Sequence, residues 1–499
     1  MLYTSTRDDT VRVESAAAIT MGISAEGGLF VPETVPRLLP DEIARLVGYD
    51  YIGRAKAILP RFLTDFTKAE IDDCVEGAYS GGKFSDSRVA PLVELRDGVE
   101  ILELWKGPTC AFKDMALQLL PRLLTVSAKK TAGGKEIVIL VATSGDTGKA
   151  ALEGFKDVPG TKILVFYPRD GVSPMQKLQM MTQEGSNVGV CGIEGNFDDA
   201  QNGVKKIFTD KNAAAKLAGL NRMFSSANSI NWGRLVPQIV YYVSAYCDML
   251  AGGRIQAGQK INIVVPTGNF GNILAAWYAK EMGLPVNKLV CASNANNVLT
   301  DFIHTGEYNR NRPFYTTVSP SMDILISSNL ERLIYALSGR DTQLVRRWMD
   351  GLSAGGLYDV GEAVSSKIKE GFAAGFCDDA ETKKTIAGTF RKHGYLCDTH
   401  TAVGIHVYNR YREMTGDTAP AVIASTANPF KFGAAVLSAF RPLTAKDSDE
   451  FELIGELSAL TGVNCPGQLI NLKDKPVRFD RVCSKGSMEE VVFELARNG

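Results

Sequence analysis

Three short stretches of this sequence carry residue types suited to chemistry on a small anionic molecule. The first is GPTCAFKDMALQLL (107–120), whose pattern predicts a helix starting near Phe112 to Asp114, with Met115, Leu119 and Leu120 facing inward. Lys113 would then sit near the positive end of a helix dipole, a poor place for a cation. Partial burial would add to the effect, and a lysine of lowered pKa is what covalent carbonyl chemistry requires. Taken singly, the plainer reading of Lys113 as a solvated surface lysine prevails.

The second is PTGNFGN (266–272), which follows an apolar run and opens a helical pattern. Gly268 and Gly271 let the backbone curl so that successive N–H groups converge at a helix N-terminus. That is a phosphate cradle needing no lysine. A tight turn with no ligand accounts for these residues equally well on geometry. The third is TSGDTG (143–148), where Thr143, Ser144 and Thr147 offer hydroxyls to an anion such as a carboxylate. A helix-capping turn explains any one of them easily, the whole cluster less readily. Neither turn is a dinucleotide fingerprint. TSGDTGKA has two residues between Gly145 and Gly148 where a nucleotide-binding P-loop needs four.

The elements that must position these turns repeat one rhythm of apolar run, polar turn and helical pattern. The runs are 135–142, 162–168, 187–193, 260–266, 288–292 and 421–425. They are continuously apolar, as expected for parallel strands buried on both faces, and the alternation predicts an α/β fold. Ligands of such sheets sit beyond the carboxyl ends of the strands, so the site should form from turns near 113, 143–148, 171–176, 268–272 and 426. We expect an N-terminal, mostly helical region (1–95) and a large domain (96–138 with 259–445). A smaller, mobile α/β domain (139–258) and a C-terminal extension (446–499) packed on the main domain complete the expectation. The helical stretch 340–400 reads as an insertion.

Composition narrows the function class. With 55 Lys+Arg against 56 Asp+Glu, the net charge of -1 lacks the basic excess of a nucleic-acid or acidic-membrane surface. The nine cysteines form no C-x-x-C pair and the four histidines no H-E-x-x-H, so no metal site is expected. MLYTSTRDDT has no apolar stretch, and no run approaches the ~18 residues of a membrane helix, so a cytoplasmic protein is expected.

The segment ELWKGPTCAFKDMA (103–116) resembles the pyridoxal 5'-phosphate (PLP) attachment signature of the fold-type II PLP enzymes. Within that group the chain is similar to the threonine synthase family. GGLFVPE (27–33), TSGDTG, GVSPMQKLQM (171–180), NSINWGRLVPQIVYY (228–242), PTGNFGN, DILISSNLERL (323–333) and STANPFKFG (425–433) agree with it in order. The resemblance implies two parallel-sheet α/β domains with an added N-terminal helical region. It implies that Lys113 holds the cofactor as a Schiff base. Gly268, Asn269, Phe270, Gly271 and Asn272 would hold the cofactor phosphate, Thr426 would face the pyridine nitrogen, and Asp146 would lie near the ring hydroxyl. Thr143, Ser144, Thr147, Ser173 and Arg234 are the expected substrate-binding residues.

The implied reaction converts O-phospho-L-homoserine and water to L-threonine and phosphate, with Lys113 moving protons at Cα and Cβ. Two phosphates and a carboxylate must be bound, for which Lys106, Arg169 and Arg234 are the candidate cations. The chain departs from the family at Trp105-Lys106-Gly107-Pro108-Thr109, at Asn428, and at Arg169-Asp170-Gly171-Val172-Ser173. A related PLP lyase, either a threonine dehydratase or a threonine-synthase-like phospholyase, is the rival enzyme. An idle binding protein on the same fold is the rival class. Either a monomer or a homodimer fits.

Overall fold

The computed structural model describes all of the chain except Asp97, Gly171, Ala445, Lys446, Ser448, Asn498, Gly499 and the side chain of Asp198. β1 (Leu2–Ser5), β2 (Val13–Glu14) and β3 (Phe30–Pro32) form a small antiparallel sheet in the N-terminal region. The remaining strands are β4 (Leu92–Arg96), β5 (Val99–Glu103), β6 (Glu136–Ala142), β7 (Thr161–Pro168), β8 (Val188–Ile193), β9 (Arg222–Ser226), β10 (Ile261–Pro266), β11 (Val286–Ser293), β12 (Glu307–Asn309), β13 (Leu357–Asp359), β14 (Phe372–Phe376), β15 (Ala421–Ser425) and β16 (Val482–Cys483). A six-stranded sheet runs β14-β11-β10-β15-β5-β4, parallel except for β4. An all-parallel five-stranded sheet runs β16-β8-β7-β6-β9. β12 and β13 form a separate antiparallel ribbon.

The central strands are buried end to end, which is why their sequences are unbroken apolar runs. β5 is equally buried but carries Glu100 and Glu103. Glu100 pairs with Arg254, and Glu103 accepts from Tyr395 Oη at 3.0 Å and pairs with Lys106 at 2.9 Å. A charge survives in that strand because each carboxylate is matched.

The helix Trp232–Ala251 is buried nearly all round and packs on the helices Gly271–Glu281, Pro40–Val47, Tyr51–Ile58 and Asp114–Leu117. A helix apolar on every face belongs in a core. Its cap, Asn231, accepts from Gly233 N at 2.8 Å and donates to Ile19 O and Ser226 O, both at 2.9 Å. One side chain thus joins the N-terminal region, β9 and the central helix.

Several expected boundaries shift. The break at 138/139 falls inside β6, whose whole length belongs to the five-stranded sheet. The helix Trp232–Ala251, assigned to the smaller domain, packs on the helices around the six-stranded sheet. The split at 95/96 cuts β4, and the N-terminal region contains a sheet as well as helices. The insertion at 340–400 supplies β14, an edge of the six-stranded sheet. The C-terminal extension reaches both domains: its helix Glu450–Thr461 packs on the core of the six-stranded sheet, while β16 is the edge strand beside β8.

Candidate active site

The turn after β10 is held from outside. Ser327 Oγ donates to Gly268 O at 2.8 Å, and Asn329 donates to Asn269 O from its N at 3.1 Å and its Nδ2 at 3.0 Å. A Cβ on Gly268 would lie 2.6 Å from Ser321 O, so only glycine fits. The expected curl is carried not by a glycine but by Phe270, left-handed at φ 62° and fully buried against Phe372. Such a conformation in a bulky residue costs of order 1 kcal/mol or more and is held by its surroundings. The helix Gly271–Glu281 has no side-chain cap, which leaves its first N–H groups without intrahelical acceptors. Tyr242 Oη donates to Asn272 Oδ1, and Tyr241 Oη lies 2.8 Å from the same oxygen. Asn272 Nδ2 is left buried with no protein partner.

Lys113 sits where β5 and β15 end. Phe112 N donates to Thr426 O at 2.8 Å, Asn428 N donates to Cys110 O at 3.0 Å, and Ala111 bridges Ala427. The helix Asp114–Leu117 is one turn long, and a second helix, Leu120–Thr131, follows it. The interruption has a cause. Pro121 cannot donate to the carbonyl of Leu117, and Gly154 lies so near that oxygen that a Cβ would come within 1.9 Å. Lys113 Nζ lies 4.0 Å from Asp146 Oδ2 and 5.2 Å from the Phe112 ring centre. Burial lowers the Lys113 pKa to about 8; Asp146 opposes this, while Arg234 and Lys431 add to it. Burial is therefore the larger cause, where the sequence suggested the helix end.

The turn after β6 is tied by Thr143, whose Oγ1 accepts from Gly145 N at 2.9 Å and Gly148 N at 2.8 Å. Gly145, at φ 133°, leaves no room for a Cβ, which would lie 2.4 Å from Gln176. Asp146 Oδ1 pairs with Lys431 Nζ at 2.7 Å and accepts from Gln176 Nε2 at 2.9 Å. Burial pushes the Asp146 carboxyl upward, but Lys431 and then Lys113 overcome it and hold it well below the usual carboxylate range.

One cleft between the two sheets is lined by Lys113, Thr143, Ser144, Thr147, Arg234, Gly268, Asn269, Phe270, Gly271, Asn272 and Thr426. Arg234 is buried; its Nη1 donates to Ala227 O and its Nε has no partner. Burial lowers its pKa to about 10, so it keeps its charge at neutral pH with no carboxylate paired to it among the described residues. Two expected residues stand behind the lining. Asp146 reaches the cleft through Lys113, and Ser173 caps the helix Pro174–Met181. Lys106 is turned away onto Glu103 and the Trp105 ring, and exposed Arg169 faces Asp170. Asn428 caps the short turn Pro429–Phe432, and Gly171 lies outside the described residues.

The sequence reading missed Lys431, Gln176, Gln238 and His400. His400 Nδ1 lies 2.9 Å from Asp398 Oδ1, and its Nε2 accepts from Ser321 N at 3.2 Å, so it fixes the segment against Gly268. Lys431 was visible only as a lysine between two phenylalanines in PFKF, an unusual place for a solvated charge.

Three family models match the chain in order. They are the threonine synthase N terminus (residues 2–79), the pyridoxal-phosphate dependent enzyme family (90–426) and the threonine synthase C-terminal family (401–492). The chain belongs to the threonine synthase family of pyridoxal-phosphate dependent enzymes. Relatives in the family include threonine synthase from Pseudomonas aeruginosa, 39% identical over 87% of this chain and 90% of its own. Human threonine synthase-like 1 is 40% identical over 89% of this chain, which spans 60% of that longer protein. The structure of PLP-bound threonine synthase from Brucella melitensis matches with a TM-score of 0.87 at 37% identity, covering 100% of both chains. The yeast enzyme matches with a TM-score of 0.86 at 31% identity, covering 99% of this chain and 97% of its own.

The residues present fit the family's cofactor. A phosphate calls for convergent donors, which the uncapped helix start and the buried, unpartnered Asn272 Nδ2 supply. An aldehyde calls for an amine that is neutral for part of the time near neutral pH, which Lys113 supplies.

Proposed function

We propose that this protein is a threonine synthase, converting O-phospho-L-homoserine and water to L-threonine and phosphate. One observation carries the reading. Lys113, of lowered pKa, lines one cleft together with the turns 143–148 and 268–272 and with Arg234, a buried guanidinium paired to no carboxylate among the described residues. A cofactor phosphate and a doubly anionic substrate need that combination.

In this reading the Gly268–Asn272 turn would take the cofactor phosphate, Lys113 its aldehyde, and Thr426 its ring nitrogen. The bound cofactor supplies an electron sink that acidifies the neighbouring substrate carbons. Lys113 Nζ accepts the α-proton and then works at Cβ, a role suited to an amine that titrates at about 8. Asp146, kept charged, favours the protonated amine once the proton has arrived. Ser144 and Thr147 hydroxyls orient the substrate carboxylate, and Arg234 neutralises the phosphate that leaves. Thr143 serves by holding the turn, since its oxygen already accepts two amides. Nine cysteines without a disulfide fit a reducing, cytoplasmic setting.

The relatives from human and mouse, at 40% and 41% identity, carry the name threonine synthase-like 1 and not threonine synthase, so a related PLP lyase stands as the second reading. Incubating the cofactor-loaded protein with O-phosphohomoserine separates the two. Threonine released in step with phosphate is expected. Phosphate with α-ketobutyrate and no threonine would establish the lyase instead.

A further inference from the structure

A second cavity lies at the other end of the Lys113 helix. It is walled by Lys83, Pro108, Gln118 and Arg122 on one side and by the segment Glu153–Val158 on the other, and it shares no residue with the cleft. Its volume of about 260 Å³ is below the ~300–1,000 Å³ of sites for drug-sized ligands, so it suits a small ion or metabolite.

The charges in this cavity are unevenly satisfied. Its acids are already occupied: Glu153 pairs with Lys149 at 3.0 Å and accepts from Gln183 at 3.2 Å. Asp157 accepts from Ser186 N at 2.8 Å and Ser186 Oγ at 3.0 Å. Lys156 is taken by Glu184 at 2.7 Å. Two cations remain. Among the described residues Lys83 Nζ donates only to the Gly77 carbonyl, so the other N–H bonds of its ammonium have no protein partner there. Arg122 packs its guanidinium on Gly77, where a Cβ would come within 2.1 Å, and has no hydrogen bond or ion pair among the described residues. Each cation lies close enough to affect the other, since Arg122 adds to the burial that lowers the Lys83 pKa. No acid counters that pressure.

The same cavity is lined by Gln118, which closes the helix that begins after Lys113. Gln118 is only 7% exposed, and its Nε2 is buried with no partner. A buried donor left without a partner is destabilising, so it calls for an acceptor. Lys83, Arg122 and Gln118 thus line one small cavity, and neither cation is paired with an acid among the described residues.

The geometry points to an anion site separate from the cleft, in which Lys83, Gln118 and Arg122 bind a small oxyanion such as inorganic phosphate. The site does not depend on the activity proposed above. Its test is calorimetric titration of the cofactor-loaded protein with inorganic phosphate, beside the double variant Lys83→Ala/Arg122→Ala. Phosphate also enters the cleft, so the difference between the two proteins is the measurement. The native protein should show a binding step that the variant lacks or makes at least about tenfold weaker, the loss expected for charge-assisted contacts. The variant's visible absorbance and turnover in phosphate-free buffer should stay unchanged. Identical isotherms would overturn the proposal. Hydrogen exchange on the native protein gives a second readout independent of any variant. Phosphate should slow exchange across residues 118–124, and unchanged exchange there would count against the site.

Discussion

Lys431 Nζ lies 2.7 Å from Asp146 Oδ1, with the two side chains 0% and 3% exposed. The lysine follows β15 of the six-stranded sheet and the aspartate follows β6 of the five-stranded sheet. Their contact therefore crosses from one sheet to the other directly beside Lys113. Removing one member of a buried pair leaves an uncompensated charge and costs about 3–5 kcal/mol. Lys431→Met should lose that much stability in chemical denaturation. It also removes a cation that lowers the Lys113 pKa, so the titration of Lys113 should move upward.

The protonation of Lys113 can be read directly. Burial favours the neutral amine, so the reactive fraction grows as pH rises through about 8. An exposed lysine does the same near ~10.4. Competitive acetylation of the cofactor-free protein, followed peptide by peptide, should place the Lys113 midpoint well below that of the solvent-exposed lysines. A midpoint above 10 would remove its case as the base.

Asn272 lines the cleft and is oriented by the tyrosines at 241 and 242, with its Nδ2 buried and unpartnered among the described residues. Asn272→Asp keeps the acceptor for those hydroxyls but replaces the donor with a charge that repels phosphate. Cofactor retention after dilution, followed by absorbance, should fall by about tenfold or more, in line with the loss of one charge-assisted hydrogen bond. Asn272→Gln should fall between the two.

Arg234 has no carboxylate to leave behind, so its replacement exposes no unpaired acid. Arg234→Met should raise the KM for O-phosphohomoserine by about 10- to 100-fold, the range for a charged hydrogen bond, while leaving cofactor absorbance intact. An unchanged KM would remove Arg234 from substrate binding.

Two glycines make an opposed pair. A Cβ at Gly154 would strike Leu117 O at 1.9 Å, so Gly154→Ala should destabilise by about 1–3 kcal/mol. Gly388, inside the helix Asp379–His393, has open space around it, so Gly388→Ala should stabilise by about 0.5–1 kcal/mol. Urea denaturation of both proteins checks the signs.

What could be seen in advance follows the burial of each strand. β6, β7, β8, β10, β11 and β15 are buried on both faces and announce themselves as apolar runs. β4, β9, β14 and β16 lie at sheet edges, where short or polar strands suffice, and their sequences carry no such signal. β5 is interior yet was hidden by Glu100 and Glu103, whose partners Arg254 and Tyr395 are remote in sequence. The same division holds in the cleft. Local turns such as 266–272 were legible because glycine spacing is a local property. Lys431 and Gln176 act on a carboxylate far from them along the chain, and only the fold brings them together. Lys106 and Arg169 were chosen for their charge alone, and other contacts claim both.

The five-stranded sheet is finished at its two sides by segments far apart in sequence. On one side Ser225 Oγ donates to Thr20 O at 2.9 Å in the N-terminal region, and on the other β16 pairs with β8. During synthesis the β9 margin is covered by residues made before that strand, but the β8 margin stays open until residues 482 and 483 emerge. A bare parallel edge is a template for another chain. The β8 margin is thus open to association from the time β8 is made until β16 pairs with it.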